Sequence, residues 1–181
     1  MLENELDIRK AQRGDHEAFT RLFRQLEAQL YRVAKTILVQ DEDCADALQE
    51  TTLKVYKGLT SLKQPKFFKT WVIRILINEC NQLLRMRERT VTVAEVPEET
   101  DVSYVHFDNS GAVDLQSCIN RLDESLRLAI VLFYYEDLSI KQIAGVLGIS
   151  EGAVRARLHR ARRLLFEQIQ PVREEGLANE Q

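Results

Sequence analysis

Apolar residues recur at the three- and four-residue spacing of an α-helix along almost the whole chain, and that spacing lapses for long only once. Phe19, Leu22, Phe23, Leu26, Leu30, Val33, Ala34 and Ile37 make the first apolar stripe, after a helix-start signal at Gly14 and Asp15. Beyond an acidic break at residues 40–43, Ala47, Leu48, Thr51, Leu53 and Val55 continue the pattern. Residues 58–65 read as a loop, and the longest periodic stretch, 67–89, carries Trp71, Ile75, Asn78 and Gln82 along one side. Over residues 90–111 the period disappears into VPEETD and DNSG, then returns with Leu115, Cys118, Ile119 and Leu122, and again with Leu126, Ala129, Ile130 and Phe133. With only 7 Gly and 3 Pro in 181 residues, little interrupts helices. The expected fold class is all-α: two small helical domains, an N-terminal helical bundle (1–89) and a C-terminal domain (112–170), joined by a flexible acidic linker (90–111) and followed by a polar tail (171–181).

Charge follows the same division. The formal net charge is −3, which taken alone argues weakly against nucleic acid. Residues 63–90, however, hold seven basic side chains against two acids, and residues 150–165 hold five Arg against Glu151. Between them, residues 91–114 hold six acids and no Lys or Arg. Two basic segments flanking an acidic one suggest two DNA-facing surfaces.

The most specific local signal is LSIKQIAGVLGIS followed by EGAVRARLHRARRLL. Ser139 with Gln142 three residues on is a capping box. Gly148 permits a sharp turn, and Ser150 can cap the next helix. With Ile140, Ile143, Ala144 and Leu147 pointing inward, this is a helix-turn-helix, whose second helix enters the major groove. On that helix Val154, Leu158, Ala161 and Leu165 form the buried stripe, and Arg155, His159 and Arg162 the outer one. A basic helix alone would read as a solvated face; the caps and the glycine turn favour DNA binding. Because Arg pairs bidentately with guanine or phosphate, Arg155, Ala156, His159 and Arg160 are candidate base readers, and Arg157 and Arg162 candidate phosphate contacts. Ser139, Lys141 and Gly152 complete the candidate upstream DNA surface.

Other function classes find little support. Cys44, Cys80 and Cys118 are odd in number and match no metal-ligand spacing, so they read as reduced, packed thiols. The opening MLENELDIRKAQRGD is too polar for a signal peptide, and no apolar run approaches the roughly 20 residues of a membrane span, which predicts a cytoplasmic location. No nucleophile elbow, phosphate loop or metal-spaced cluster is present, so no catalytic residue, metal, cofactor or small-molecule substrate is expected.

Many regulators carry a helix-turn-helix, and the N-terminal half selects among them. DEDCADALQETTLKVY resembles the polymerase-binding segment of the sigma-70 family, D-x-x-D-A-E-D-L-x-Q-E-x-F-L-K in its small accessory members, through Asp43, Ala45, Asp46, Leu48, Gln49, Glu50, Leu53 and Lys54. FFKTWVIRILINECNQLLRMRER resembles the adjoining promoter-melting segment, F-x-x-W-L-x-R-I-x-x-N-x-x-x-D-x-x-R, through Phe67 or Phe68, Trp71, Arg74, Ile75, Asn78 and Arg85. Gln82 stands where the family often has Asp, and Val72 where it has Leu. With the C-terminal half resembling the domain that reads the minus-35 element, the resemblance spans about residues 15–168 and points to the extracytoplasmic-function (ECF) group.

The resemblance implies a set of roles. Asp43, Asp46, Gln49, Glu50 and Leu53 would face core RNA polymerase. Lys66, Phe67, Phe68, Lys69, Trp71, Arg74 and Asn78 would capture the melted minus-10 element of promoter DNA. That assignment suits the physics, because aromatic faces stack on unpaired bases while cations hold the backbone. Trp71 reads equally well as core. The acidic linker would thread the polymerase channel, and an anti-sigma factor, often membrane-bound, would hold the protein inactive. A conventional repressor or activator with an N-terminal dimerisation domain is the competing reading; it would need a palindromic site and would leave the basic aromatic stretch at 66–74 without a purpose.

Overall fold

The computed structural model describes residues 2–91 and 115–169, with side chains from 5 to 87 and from 115 to 169. The linker beyond residue 91 and the tail lie outside the described residues. Within the described residues the chain is helical without strands.

The N-terminal bundle comprises α1 (Leu2–Gln12), α2 (His16–Ile37), α3 (Asp41–Gly58) and α4 (Phe68–Val91). Asp15 starts α2 as its sequence position suggests: its side chain accepts from the Ala18 amide at 2.9 Å. Gly14 makes the preceding corner at φ +95°, a conformation that L side chains rarely adopt. The stripe read from the sequence is the core, with Phe19, Leu22, Leu30, Val33, Ala34 and Ile37 buried and Phe23 and Leu26 packed at its edge. Each fully buried Leu or Val contributes about 1.5–3 kcal/mol of apolar transfer. Ile8 and Ala11 of α1 complete one side, and Gln12 Nε2 ties α1 to the α3–α4 connection by donating to the carbonyls of Leu59 (2.9 Å) and Leu62 (2.8 Å). That connection holds two single turns of 3₁₀ helix, Leu59–Ser61 and Pro65–Phe67.

Helices α3 and α4 are joined by apolar contact and by two ion pairs at its border: Arg87 Nη2 to Asp43 Oδ1 at 2.6 Å and Lys54 Nζ to Glu79 Oε2 at 2.6 Å. Cys44 and Cys80 are buried beneath them as free thiols, and burial pushes the Cys80 thiol up to about 12. Cys118, in the other domain, is also free and buried.

The C-terminal domain comprises α5 (Leu115–Asn120), α6 (Glu124–Ile130), a π-helical turn (Val131–Tyr135), α7 (Ile140–Leu147) and α8 (Glu151–Ile169). Helices α5, α6 and α7 all lean on α8. Cys118, Ile119, Leu122, Leu126, Ala129 and Ile130 are buried as the periodicity predicts, whereas Leu115 lies on the surface. The π turn widens α6 by one residue, and its end is closed by bonds from the Glu136 amide to Val131 O and from the Leu138 amide to Leu132 O, each 3.0 Å.

The two domains touch. Helix α7 packs on α4, and α6 with the π turn packs on α2. Polar contacts seal the seam. Arg32 Nη1 donates to Glu136 Oε1 at 2.9 Å, Lys69 Nζ to the Glu136 carbonyl at 2.8 Å, and Arg127 Nη2 to the Thr36 carbonyl at 3.1 Å. The Arg32 guanidinium also lies 5.5 Å from the centre of the Tyr135 ring.

Candidate nucleic-acid and polymerase interfaces

The helix-turn-helix forms as its residues dictate. Ser139 and Gln142 make the reciprocal capping box: Gln142 Oε1 accepts from the Ser139 amide at 2.9 Å and Ser139 Oγ from the Gln142 amide at 3.3 Å. Gly148 ends α7 in the left-handed region at φ +67°, and Ser150 Oγ accepts from the Ala153 amide at 3.1 Å to start α8. Val154, Leu158 and Ala161 are buried against the domain. Val146, which the sequence reading left out, is buried beside Ile143 and Ala144, while Ile140 and Leu147 are only half-buried.

Lys141, Gly152, Arg155, Ala156, His159 and Arg160 are exposed together on the outer side, with Arg157 half-buried beside them. A side chain at position 152 would meet nothing closer than Ser150 Oγ at 3.8 Å, so this part of the helix is open to approach. Arg155 makes an exposed ion pair with Glu151 at 3.2 Å. Such a pair is worth about 0.3–0.5 kcal/mol and yields readily to a base or phosphate.

Two candidates in this group have internal work. The Ser139 hydroxyl is committed to its cap. Arg162 Nε donates to the Tyr134 hydroxyl at 2.9 Å, and its guanidinium lies 5.5 and 5.6 Å from the ring centres of Phe133 and Tyr134. It braces α8 against the π turn, so a phosphate contact would have to share a side chain already engaged.

The basic aromatic stretch at the start of α4 divides more sharply. Phe67 is 43% exposed, with Lys66 Nζ 5.0 Å above its ring. Arg74 and Asn78 are exposed on the following turns. Phe68, by contrast, is 5% exposed and belongs to the core. The expectation that both phenylalanines reach DNA is corrected at this position: Phe68 has no free face for a base. Trp71 is half-buried, 6.5 Å from Phe68 ring to ring, and its indole lies so near Gly58 that a Cβ there would sit 3.3 Å from it. Lys69 is turned towards the other domain.

The third surface is the outer side of α3, where Asp46, Gln49, Glu50 and Leu53 are exposed. Asp43 is not among them. It is 7% exposed and held by Arg87 within the chain. Between α3 and α4 lies a hollow of about 240 Å³, with Asp46, Glu50 and Glu79 at its rim and Leu83 and Met86 lining it.

Sequence reasoning missed the residues at the seam, namely Arg32, Thr36, Arg127 and Glu136. One signal was available: Glu136 ends the apolar run VLFYY, and a charge there must find a partner or a turn. Among the described residues no group of three His, Cys, Asp or Glu side chains could hold a metal ion, and no helix is long and apolar enough to cross a membrane.

A helical bundle with an acidic outer helix, coupled to a helix-turn-helix with a basic outer side, has the layout of a DNA-binding protein. Comparison with known proteins narrows the class. Residues 22–90 match Sigma-70 region 2, and residues 112–165 match Sigma-70, region 4. The chain is 33% identical over 149 residues to the ECF RNA polymerase sigma factor SigM of Mycobacterium tuberculosis, covering 82% of this chain and 76% of that one. It is 28% identical over 193 residues to the ECF RNA polymerase sigma-E factor of Escherichia coli K12, covering 94% and 96%. Among solved structures it is similar to CnrH in complex with the cytosolic domain of CnrY (TM-score 0.65, 25% identity, 91% of this chain and 96% of that one). The fold also matches the sigma factor RpoE in complex with the anti-sigma factor NepR from Bartonella quintana (TM-score 0.68, 24% identity, 86% and 98%). The chain belongs to the sigma-70 family and, within it, to the ECF sigma factors. It is an alternative sigma factor directing transcription initiation, not a conventional repressor, in a family of non-catalytic RNA polymerase subunits.

Proposed function

We propose that this sigma factor divides its work among three surfaces on two domains, 1–89 and 112–170, and acts in the cytoplasm with no catalytic site of its own. Asp46, Gln49, Glu50 and Leu53 dock on core RNA polymerase. Lys141, Gly152, Arg155, Ala156, Arg157, His159 and Arg160 meet the minus-35 element, and Lys66, Phe67, Trp71, Arg74 and Asn78 meet the melted minus-10 element. The observation that carries this reading is the helix-turn-helix itself, where two caps and a left-handed glycine present an exposed basic strip above the buried Val154, Leu158 and Ala161. At the start of α4, an exposed aromatic ring beside a cation suits an unstacked base better than a duplex, because every base offers a face to stack while the phosphates answer the lysine.

An anti-sigma factor is the expected inhibitor. The Bartonella RpoE is seen in a complex of that kind, with the anti-sigma factor NepR, and CnrH is seen bound to the cytosolic domain of CnrY. The test of the whole reading is run-off transcription on fragmented genomic DNA with purified core polymerase, with and without the protein. Discrete start sites that require the protein are expected. Their absence, together with tight binding of the polymerase-free protein to a palindrome, would reject it.

A further inference from the structure

Glu136 is a carboxylate with no exposed surface, contributed by one domain to cations of the other. Arg32 reaches it from α2 and Lys69 from α4, and these side chains remain 43% and 32% exposed. The fit is incomplete. Arg32 Nη1 binds Oε1 at 2.9 Å, and Lys69 Nζ binds the main-chain carbonyl at 2.8 Å. Lys69 also stands 3.2 Å from Oε2, yet that buried oxygen receives no hydrogen bond. Taking a carboxylate out of water without satisfying both oxygens is costly, and an apolar side chain would fill the same space with less penalty. The backbone also leaves regular helix to put the group there, through the π turn before it and Asp137 after it at φ +54°.

We propose that Arg32 and Lys69 form a binding site for a DNA backbone phosphate, and that Glu136 occupies this site as an internal stand-in while the domains are packed together. The inference rests on the reading that the start of α4 faces promoter DNA. Two cations from separate helices surround three acceptor oxygens of Glu136, one of which is poorly served. A phosphate presents its oxygens in a tetrahedron and can satisfy both cations at once. Lys66, one turn ahead of Lys69 and exposed beside Phe67, extends the cationic track. The packed form therefore withholds Lys69 from DNA, and separating the domains frees it.

The test uses the full-length protein without polymerase and a fluorescein-labelled single-stranded DNA oligomer of random sequence, read by anisotropy across a salt series. Glu136→Gln is expected to tighten binding roughly tenfold and to steepen the slope of log affinity against log salt by about 1.4, since each phosphate-bound cation adds about 0.7 on single strands. Adding Arg32→Gln or Lys69→Gln to that variant should each remove about half of the extra slope. Arg127→Gln, which breaks the bond to the Thr36 carbonyl and leaves Glu136 intact, should also part the domains and tighten binding, and it serves if Glu136→Gln does not fold. Small-angle scattering reports the separation. Parted domains with unchanged affinity and slope would overturn the phosphate site, and domains still packed in both variants would overturn the latch. Wild-type run-off transcription is measured in parallel: loss of the anisotropy effects with transcription intact removes this inference alone, whereas absent transcription removes the reading beneath it.

Discussion

The two regions proposed to face DNA solve the same problem in opposite ways. On α8 burial and recognition are separated by helical periodicity: Val154, Leu158 and Ala161 hold the helix, while Arg155, Ala156, His159 and Arg160 stand clear of the core. At the start of α4 the two tasks fall on neighbouring residues. Phe67 is exposed, Phe68 is core, Trp71 is shared between them, and Lys69 is bonded to another domain. The difference teaches that substitutions on α8 should sort cleanly into stability and binding effects, whereas those near 67–71 should mix the two unless each position is assigned its task.

The largest expected effect tests that assignment directly. Phe68→Ala should lower unfolding stability by about 3–5 kcal/mol, whereas Phe67→Ala should leave thermal unfolding nearly unchanged and reduce opening of promoter DNA. Equal destabilisation by both, in chemical denaturation, would erase the distinction between the two rings. Next comes Leu158→Ala, expected to cost about 2–5 kcal/mol by opening a cavity under the recognition helix. A circular dichroism melt of unchanged midpoint would show that the buried stripe does not hold α8. Smaller still, Arg155→Ala should weaken upstream promoter binding by about 1–3 kcal/mol without altering stability, and should relax sequence preference. If the loss were the same on every promoter sequence, Arg155 would belong on phosphate. Smallest, Ser139→Ala removes one half of the capping box and should cost about 1 kcal/mol, measurable as a lowered denaturation midpoint. A larger loss in DNA binding than in stability would give the Ser139 hydroxyl a direct contact as well.

The same contrast explains what could be read in advance. The helix-turn-helix was legible because each of its signals is local: a serine and glutamine three apart, a glycine at the corner, an apolar stripe at fixed spacing. Val146, the half-burial of Ile140, Leu147 and Leu165, and the brace between Arg162 and Tyr134 escaped, and the brace joins residues 28 apart in sequence. In the bundle the helices and their apolar stripes were equally visible, but the fate of each member of the Phe67–Phe68 pair was not, since both residues have the same chemistry and only packing tells them apart. The internal pairing of Asp43 was hidden for a related reason. Its position in the motif suggested a partner outside the chain, and its partner within the chain, Arg87, comes from a different helix. The seam between the domains depends on contacts across as many as 104 residues, which periodicity does not encode.

The ion pairs that join α3 to α4 tie two working surfaces together. One of these helices holds the surface proposed for polymerase and the other the surface proposed for melted DNA, and Asp43–Arg87 and Lys54–Glu79 clamp them at two points along their length. A joint fixed at two points resists both sliding and pivoting. On the proposed assignment the bundle would work as a gauge block: once α3 is seated on the enzyme, the place where the strands part would be set by the spacing of two helices, and a start site would be measured out from a reference built into the protein rather than searched for anew.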